Sequence, residues 1–98
     1  MILEMARVTV EEGSQAAFEA AVAEARPLFD AAEGCHGMEL HRIIEAATVY
    51  LVLVRWETME HHTVGFRGSP AFTRWRELAG PFFVAAPEVW HTEAISPS

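Results

Sequence analysis

The chain has 98 residues, 51% of them hydrophobic, and a formal charge of −7 from fourteen acids against seven bases. That length supports one domain over residues 1–98 with a modest core, and the composition is that of a folding chain, not a disordered one. No apolar run approaches the ~20 residues of a membrane helix. All seven bases are Arg, and the acidic balance leaves no basic face for nucleic acid.

Residues 2–10 read as a strand. Its even row carries Ile2, Glu4, Ala6, Val8 and Val10 and its odd row Leu3, Met5, Arg7 and Thr9, so neither face is purely solvent. Glu4 and Arg7 interrupt the apolar start, which lacks the layout of a secretion signal, and a cytoplasmic location is expected. Ser14 is placed to cap a helix whose Phe18, Ala21, Val22, Ala25, Phe29 and Ala32 recur every three or four residues. Pro27 falls inside that pattern and predicts a kink or a split last turn. Gly34 ends the helix. Cys35, the only cysteine, permits no intrachain disulfide, which fits the cytoplasmic reading.

Residues 38–44 form a second strand and residues 49–56 a third, joined through Glu45-Ala46-Ala47 as a hairpin. The third strand is apolar on both rows: Tyr50, Val52, Val54 and Trp56 alternate with Val49, Leu51, Leu53 and Arg55. Thr58 is placed to cap a short helix reaching about Phe66. Ser69-Pro70 is a cap followed by proline at the first helical position, and the helix it opens stops at Gly80-Pro81. A last strand is expected from Glu88 to about Ile95. Strand, helix, strand, strand, helix, strand is the order of an α+β, ferredoxin-like split βαβ fold, an antiparallel sheet with helices on one side.

The other side of such a sheet would expose a row such as Leu3, Met5, Leu51, Leu53, Val89 and Ile95. Apolar patches of that size are seldom left wet. A two-fold homodimer packing sheet on sheet hides the row without further sequence.

Chemistry-bearing motifs are few. There is no dinucleotide or phosphate-binding glycine loop and no serine in a nucleophile elbow. His61 and His62 are adjacent on a helix and point ~100° apart, so no metal site is expected from them. His36 and His41 sit on a strand without shared geometry. Gly65-Phe66-Arg67-Gly68 matches a four-residue RNA-binding loop, which the acidic chain contradicts. The aromatic-rich second half is the stronger signal. Trp56, Phe66, Phe72, Trp75, Phe82, Phe83 and Trp90 are first of all core. If the two short helices stand off the sheet, they also line an apolar pocket whose polar groups would be Glu4, His62, Arg74 and Arg76.

Several runs together resemble the antibiotic biosynthesis monooxygenase domain family: Gly34-Cys35-His36-Gly37, Glu39-Leu40-His41, Arg55-Trp56-Glu57-Thr58 and Ser69-Pro70-Ala71-Phe72, with the late proline of the first helix and Pro87-Glu88-Val89. The resemblance spans nearly the whole chain. It implies a dimeric α+β barrel. It also implies, for part of the family, a cofactor-independent monooxygenase acting on a polyaromatic phenol or quinol. The haem-degrading branch resembles this chain less. Its first-strand Asn, its Trp before the Ser-Pro helix and its His inside that helix fall at Glu4, Phe66 and Arg76. Other members carry His where Phe66 and Ala71 stand here, and the stretch between Trp56 and Ser69 is one residue longer.

The resulting expectation is a homodimer with an apolar pocket in each subunit, a small aromatic partner, no cofactor, no metal and no membrane or nucleic-acid contact. Phe66, Phe72 and Trp75 would wall the pocket. His62 and Arg76 would handle protons and stabilise an anion, with Glu4 as base. The alternative is a ligand-binding or structural homodimer without turnover, which the absent His positions favour.

Overall fold

The computed structural model describes residues 1–96; residues 97 and 98 of the expected single domain lie outside the described residues. In chain order it contains β1 (Ile2–Thr9), α1 (Gln15–Asp30), β2 (Cys35–Arg42), β3 (Val49–Trp56), a π-helical segment (His61–Phe66), α2 (Pro70–Ala79), a short 3-10 turn (Gly80–Phe82) and β4 (Glu88–Glu93). The strands form one sheet in the order β2-β3-β1-β4, antiparallel at every pairing. This is the expected α+β, ferredoxin-like arrangement.

The period of two along each strand decides the layers. Ala6 and Val8 of β1, Tyr50, Val52, Val54 and Trp56 of β3, and Met38 of β2 are buried on the helix side. Phe18, Val22, Ala25 and Phe29 come from one stripe of α1 and close over them. Phe18 and Phe29 are 0% and 2% exposed; burial of each stabilises the fold by about 1.5–3 kcal/mol. The Phe18 and Tyr50 ring centroids are 4.9 Å apart. The Tyr50 hydroxyl donates to Glu19 at 2.6 Å, so the polar tip of a buried ring is satisfied. α2 completes the layer: the Phe72 N–H donates to Ser69 Oγ at 3.4 Å, Pro70 occupies the first turn, and Trp75 meets Phe29 edge-on at 5.1 Å.

Several local expectations are corrected. Of the kink or split last turn expected at Pro27, the split does not occur, since α1 runs on to Asp30; the proline lies in the last turns, where a single lost N–H costs little continuity. Ser14 stands at the N-cap but its side chain makes no capping bond; the Gln15 side chain accepts from the Gly13 N–H at 2.8 Å instead. β2 begins at Cys35 and ends at Arg42, because pairing with β3 extends it backwards across a bulge between Cys35 and Gly37.

The uncovered sheet face is also corrected in part. Val89 pairs with Ala6 and so lies on the helix side, while Trp90, opposite Met5, takes the outer row. Ile95 lies beyond β4. The outer row therefore runs through Leu3, Met5, Leu51, Leu53 and Trp90. Among the described residues no helix is long and apolar enough to cross a membrane.

Candidate functional site

Glu4 is the one carboxylate on the buried row of β1, 7% exposed. A charge there is costly unless donors surround it. Trp56, at the end of β3, donates its Nε1–H to Glu4 Oε1 at 2.9 Å. His62 places Nε2 3.3 Å from the same oxygen. On its other side, His62 Nδ1 is 2.7 Å from His91 Nε2. His91 is the β4 residue opposite Glu4 in the β1–β4 register.

Donor logic orders the protons along this chain. Indole N–H is donor only, so Glu4 Oε1 accepts from Trp56. With both imidazoles neutral, one ring N–H makes the hydrogen bond between His62 Nδ1 and His91 Nε2, while His62 Nε2 stands in close contact with Glu4. Burial, then the Arg67 charge and His91, push the His62 pKa down to about 4, so its ring is neutral near pH 7. His91 is lowered by burial and by Arg67. Burial raises the Glu4 carboxyl, against the lowering pull of the Trp56 bond and Arg67. A buried carboxylate made more basic, with a neutral two-histidine chain behind it, can take a proton from a group placed beside it.

The backbone aims His62. Thr58 Oγ1 accepts from the His61 N–H at 3.3 Å and starts the turn. The segment then widens into a π-helix, closed by the Arg67 N–H on the His62 carbonyl at 3.1 Å. A π-turn accommodates one residue more than an α-turn. His62 is turned inward, 3% exposed and stacked on Trp56 at 5.4 Å with 15° between planes. His61 turns away, its Nδ1 2.8 Å from Thr58 Oγ1.

Above this floor lies a cavity of about 350 Å³ lined by Glu4, Ala6, Val8, His62, Arg67, Phe72, Trp75, Arg76, Phe83, Pro87 and Val89. Of the sequence candidates, Glu4, His62, Phe72, Trp75 and Arg76 are brought together here. Phe66 is not among its lining residues. It is buried one layer behind, its ring against Phe29, Trp56 and Phe72. It does line a second, more apolar hollow of about 450 Å³ between α1 and the start of α2. Arg74 is outside the cavity and pairs with Glu77 at 3.5 Å.

Sequence reasoning missed His91 and Arg67. His91 lies in a strand whose two rows, Val89 and His91 or Trp90 and Thr92, are similar in polarity; only pairing with β1 selects one. Arg67 was legible as part of the Gly65-Phe66-Arg67-Gly68 loop but had no stated role.

The chain belongs to the antibiotic biosynthesis monooxygenase family, whose sequence model matches residues 1–78. YczJ of Bacillus subtilis (strain 168), a protein of uncharacterised function, is 36% identical over 95 residues, spanning 97% of this chain and 100% of that one. A Bordetella bronchiseptica structure designated an antibiotic biosynthesis monooxygenase superposes with a TM-score of 0.95 at 48% identity, covering 97% of each chain. A variant of SnoaB from Streptomyces nogalater, described as a cofactor-independent oxygenase, has a TM-score of 0.82 at 19% identity over 98% of this chain and 94% of that one. At that identity the likeness is one of fold.

Proposed function

We propose that this protein is a cofactor-independent monooxygenase that oxidises an aromatic phenol or quinol in the cavity between sheet and α2, working as a homodimer. The observation that carries the reading is the buried Glu4–His62 pair, backed by His91, at a cavity whose wall combines Phe72, Trp75, Phe83 and Val89 with Arg67 and Arg76. Family membership and the monooxygenase designation of the 48% identical Bordetella bronchiseptica structure support the reaction class.

In this reading the flat substrate lies against Phe72 and Trp75 with its hydroxyl at Glu4. Glu4 removes the phenolic proton. Electron density rises on the ring carbons ortho and para to the oxygen, and one of them that carries hydrogen (para in a phenol, ortho in a quinol) reduces and binds molecular oxygen, giving a hydroperoxide once a proton is returned. Loss of water then leaves a second carbonyl. One phenol and one O2 become one quinone and one water, so all four electrons come from the substrate and no redox centre is needed. His62 and His91 hold Glu4 and carry the proton. Arg76, its guanidinium 5.8 Å from the centre of the Phe72 ring, stabilises the phenolate. The apolar wall keeps water from the intermediates.

The homodimer is supported by the outer sheet face. Leu3, Met5, Leu51, Leu53 and Trp90 run across its middle, with Trp90 47% exposed in the single chain. Arg7–Glu88 and Arg55–Glu39 ion pairs, at 3.2 and 3.1 Å, flank them. An apolar centre with a polar rim is the anatomy of an association surface.

Oxygen uptake with a panel of hydroquinones and naphthols, using metal-free pure protein, tests the activity. Turnover with quinone formation is expected. Glu4→Gln should lower kcat about 10²–10⁴-fold, the usual contribution of a positioned base, while ligand binding persists. Turnover no faster than buffer would reject the enzyme. Saturable binding without product would leave the ligand-binding dimer in its place.

A further inference from the structure

The arginines divide into two groups. Arg7, Arg26, Arg42, Arg55 and Arg74 each face a carboxylate, at 2.6–3.8 Å. Among the described residues, Arg67 and Arg76 have no such partner, and both line the Glu4–His62 cavity. In a chain with fourteen acids for seven bases, carboxylates are in excess, yet neither of these two cations is matched. Arg76 is seated over the Phe72 ring, 5.8 Å from its centre, an arrangement that orients the guanidinium beside the aromatic wall. Arg67 leaves the C-terminal end of the π-helical segment close enough to Glu4, His62 and His91 to act on the charge of all three.

The local charge balance follows. The one lining histidine, His62, is neutral near pH 7, so two guanidiniums stand against the single carboxylate of Glu4 and the cavity lining carries about one positive charge when that carboxyl is ionised. Both guanidiniums are solvent-exposed at the mouth of the cavity, where an anionic group on the ligand can pair with them and a neutral phenol cannot. Arginine suits that task because its planar fork matches a carboxylate and stacks on aromatic faces.

We infer that the ligand of this cavity is an aromatic monoanion, a hydroxylated ring system bearing a carboxylate that Arg67 and Arg76 recognise. The inference rests on the cavity being the substrate site. It narrows the substrate from phenols in general to aromatic hydroxy acids. The carboxylate anchors the ring, and the hydroxyl is left for Glu4.

The test compares 1-hydroxy-2-naphthoate with 1-naphthol, which lacks only the carboxylate, by calorimetric titration without oxygen at about pH 7, where the first is an anion and the second neutral. The naphthoate should bind at least about tenfold more tightly at low salt, a ratio that shrinks as salt screens the exposed guanidiniums. In the Arg67→Gln/Arg76→Gln double variant the preference should disappear, so that the two ligands bind alike. Equal binding to the wild type overturns the inference and leaves the cavity as a site for neutral phenols. So does a preference that survives in the double variant. If neither ligand binds, the reading of the cavity fails with it. Oxygen uptake is scored separately, so loss of turnover with the anion preference intact would strike the reaction and not the recognition.

Discussion

At the scale of single residues, the cavity floor converts burial into a pH dependence. His62 titrates at about 4 in the fold against an ordinary 6.5. Between those values the unfolded chain holds a proton that the folded chain lacks, so His62 withdraws stability as pH falls through that window. The effect is about 2 kcal/mol between pH 7 and pH 5 at the ordinary value of one pKa unit. Glu4 has the opposite sign. Its carboxyl is raised above 4.5, so the folded state binds that proton first and gains from acid in the window just above 4.5. His91, which is shifted the same way as His62, adds to the loss. Urea unfolding of the wild type should therefore show lower stability at pH 5 than at pH 7. His62→Gln should remove most of that difference. Identical pH profiles for the two proteins would refute the burial argument.

Among the elements, the junction of α1 and β2 holds the π-helical segment in place. Gly34 has φ +78°, and a Cβ built on it would lie 2.3 Å from Cγ of the His61 ring. Backbone strain and the clash act together, so Gly34→Ala should cost about 2–4 kcal/mol of unfolding free energy. In a His61→Ala background the same change should cost at least about 1 kcal/mol less, since the ring it strikes is gone. Equal costs in both backgrounds would show that the two elements do not meet there. The sequence suggested Gly34 as the helix stop, but α1 ends at Asp30 with Ala31 as its cap; the glycine's role against His61 was not legible, because it depends on where a residue twenty-seven positions further on sits.

For the molecule as a whole, the extents of 40 × 37 × 20 Å describe a slab. Twenty ångströms is two layers, one of sheet and one of helix, because each layer takes up about 10 Å. One sheet face is therefore bare of the chain's own elements. If a second copy covers it, sedimentation at micromolar concentration should give twice the 10.9 kDa of one chain. Leu53→Glu, at the centre of the outer row and away from the cavity, should shift the protein to single subunits by placing a charge where no partner awaits it. A wild type that sediments as one folded chain would remove the dimer, while the cavity, built within one subunit, would remain.

How far the chain could be read without its fold follows from the range of each signal. The order of the elements, the stripe of α1, the buried row of β3 and the Ser69-Pro70 start of α2 all come from contacts within a few residues, and periodicity records them directly. The resemblance of short runs to a known family was legible for the same reason. Which row of β4 faces inward, and so the presence of His91 beside His62, depends on hydrogen bonding to β1, more than eighty positions earlier. The inward turn of His62 needs the π-helical widening and the indole of Trp56 beneath it. The grouping of Arg67 with Arg76 needs α2 laid back over the sheet. These are long-range pairings, and neighbouring residues in a linear string carry no term for them.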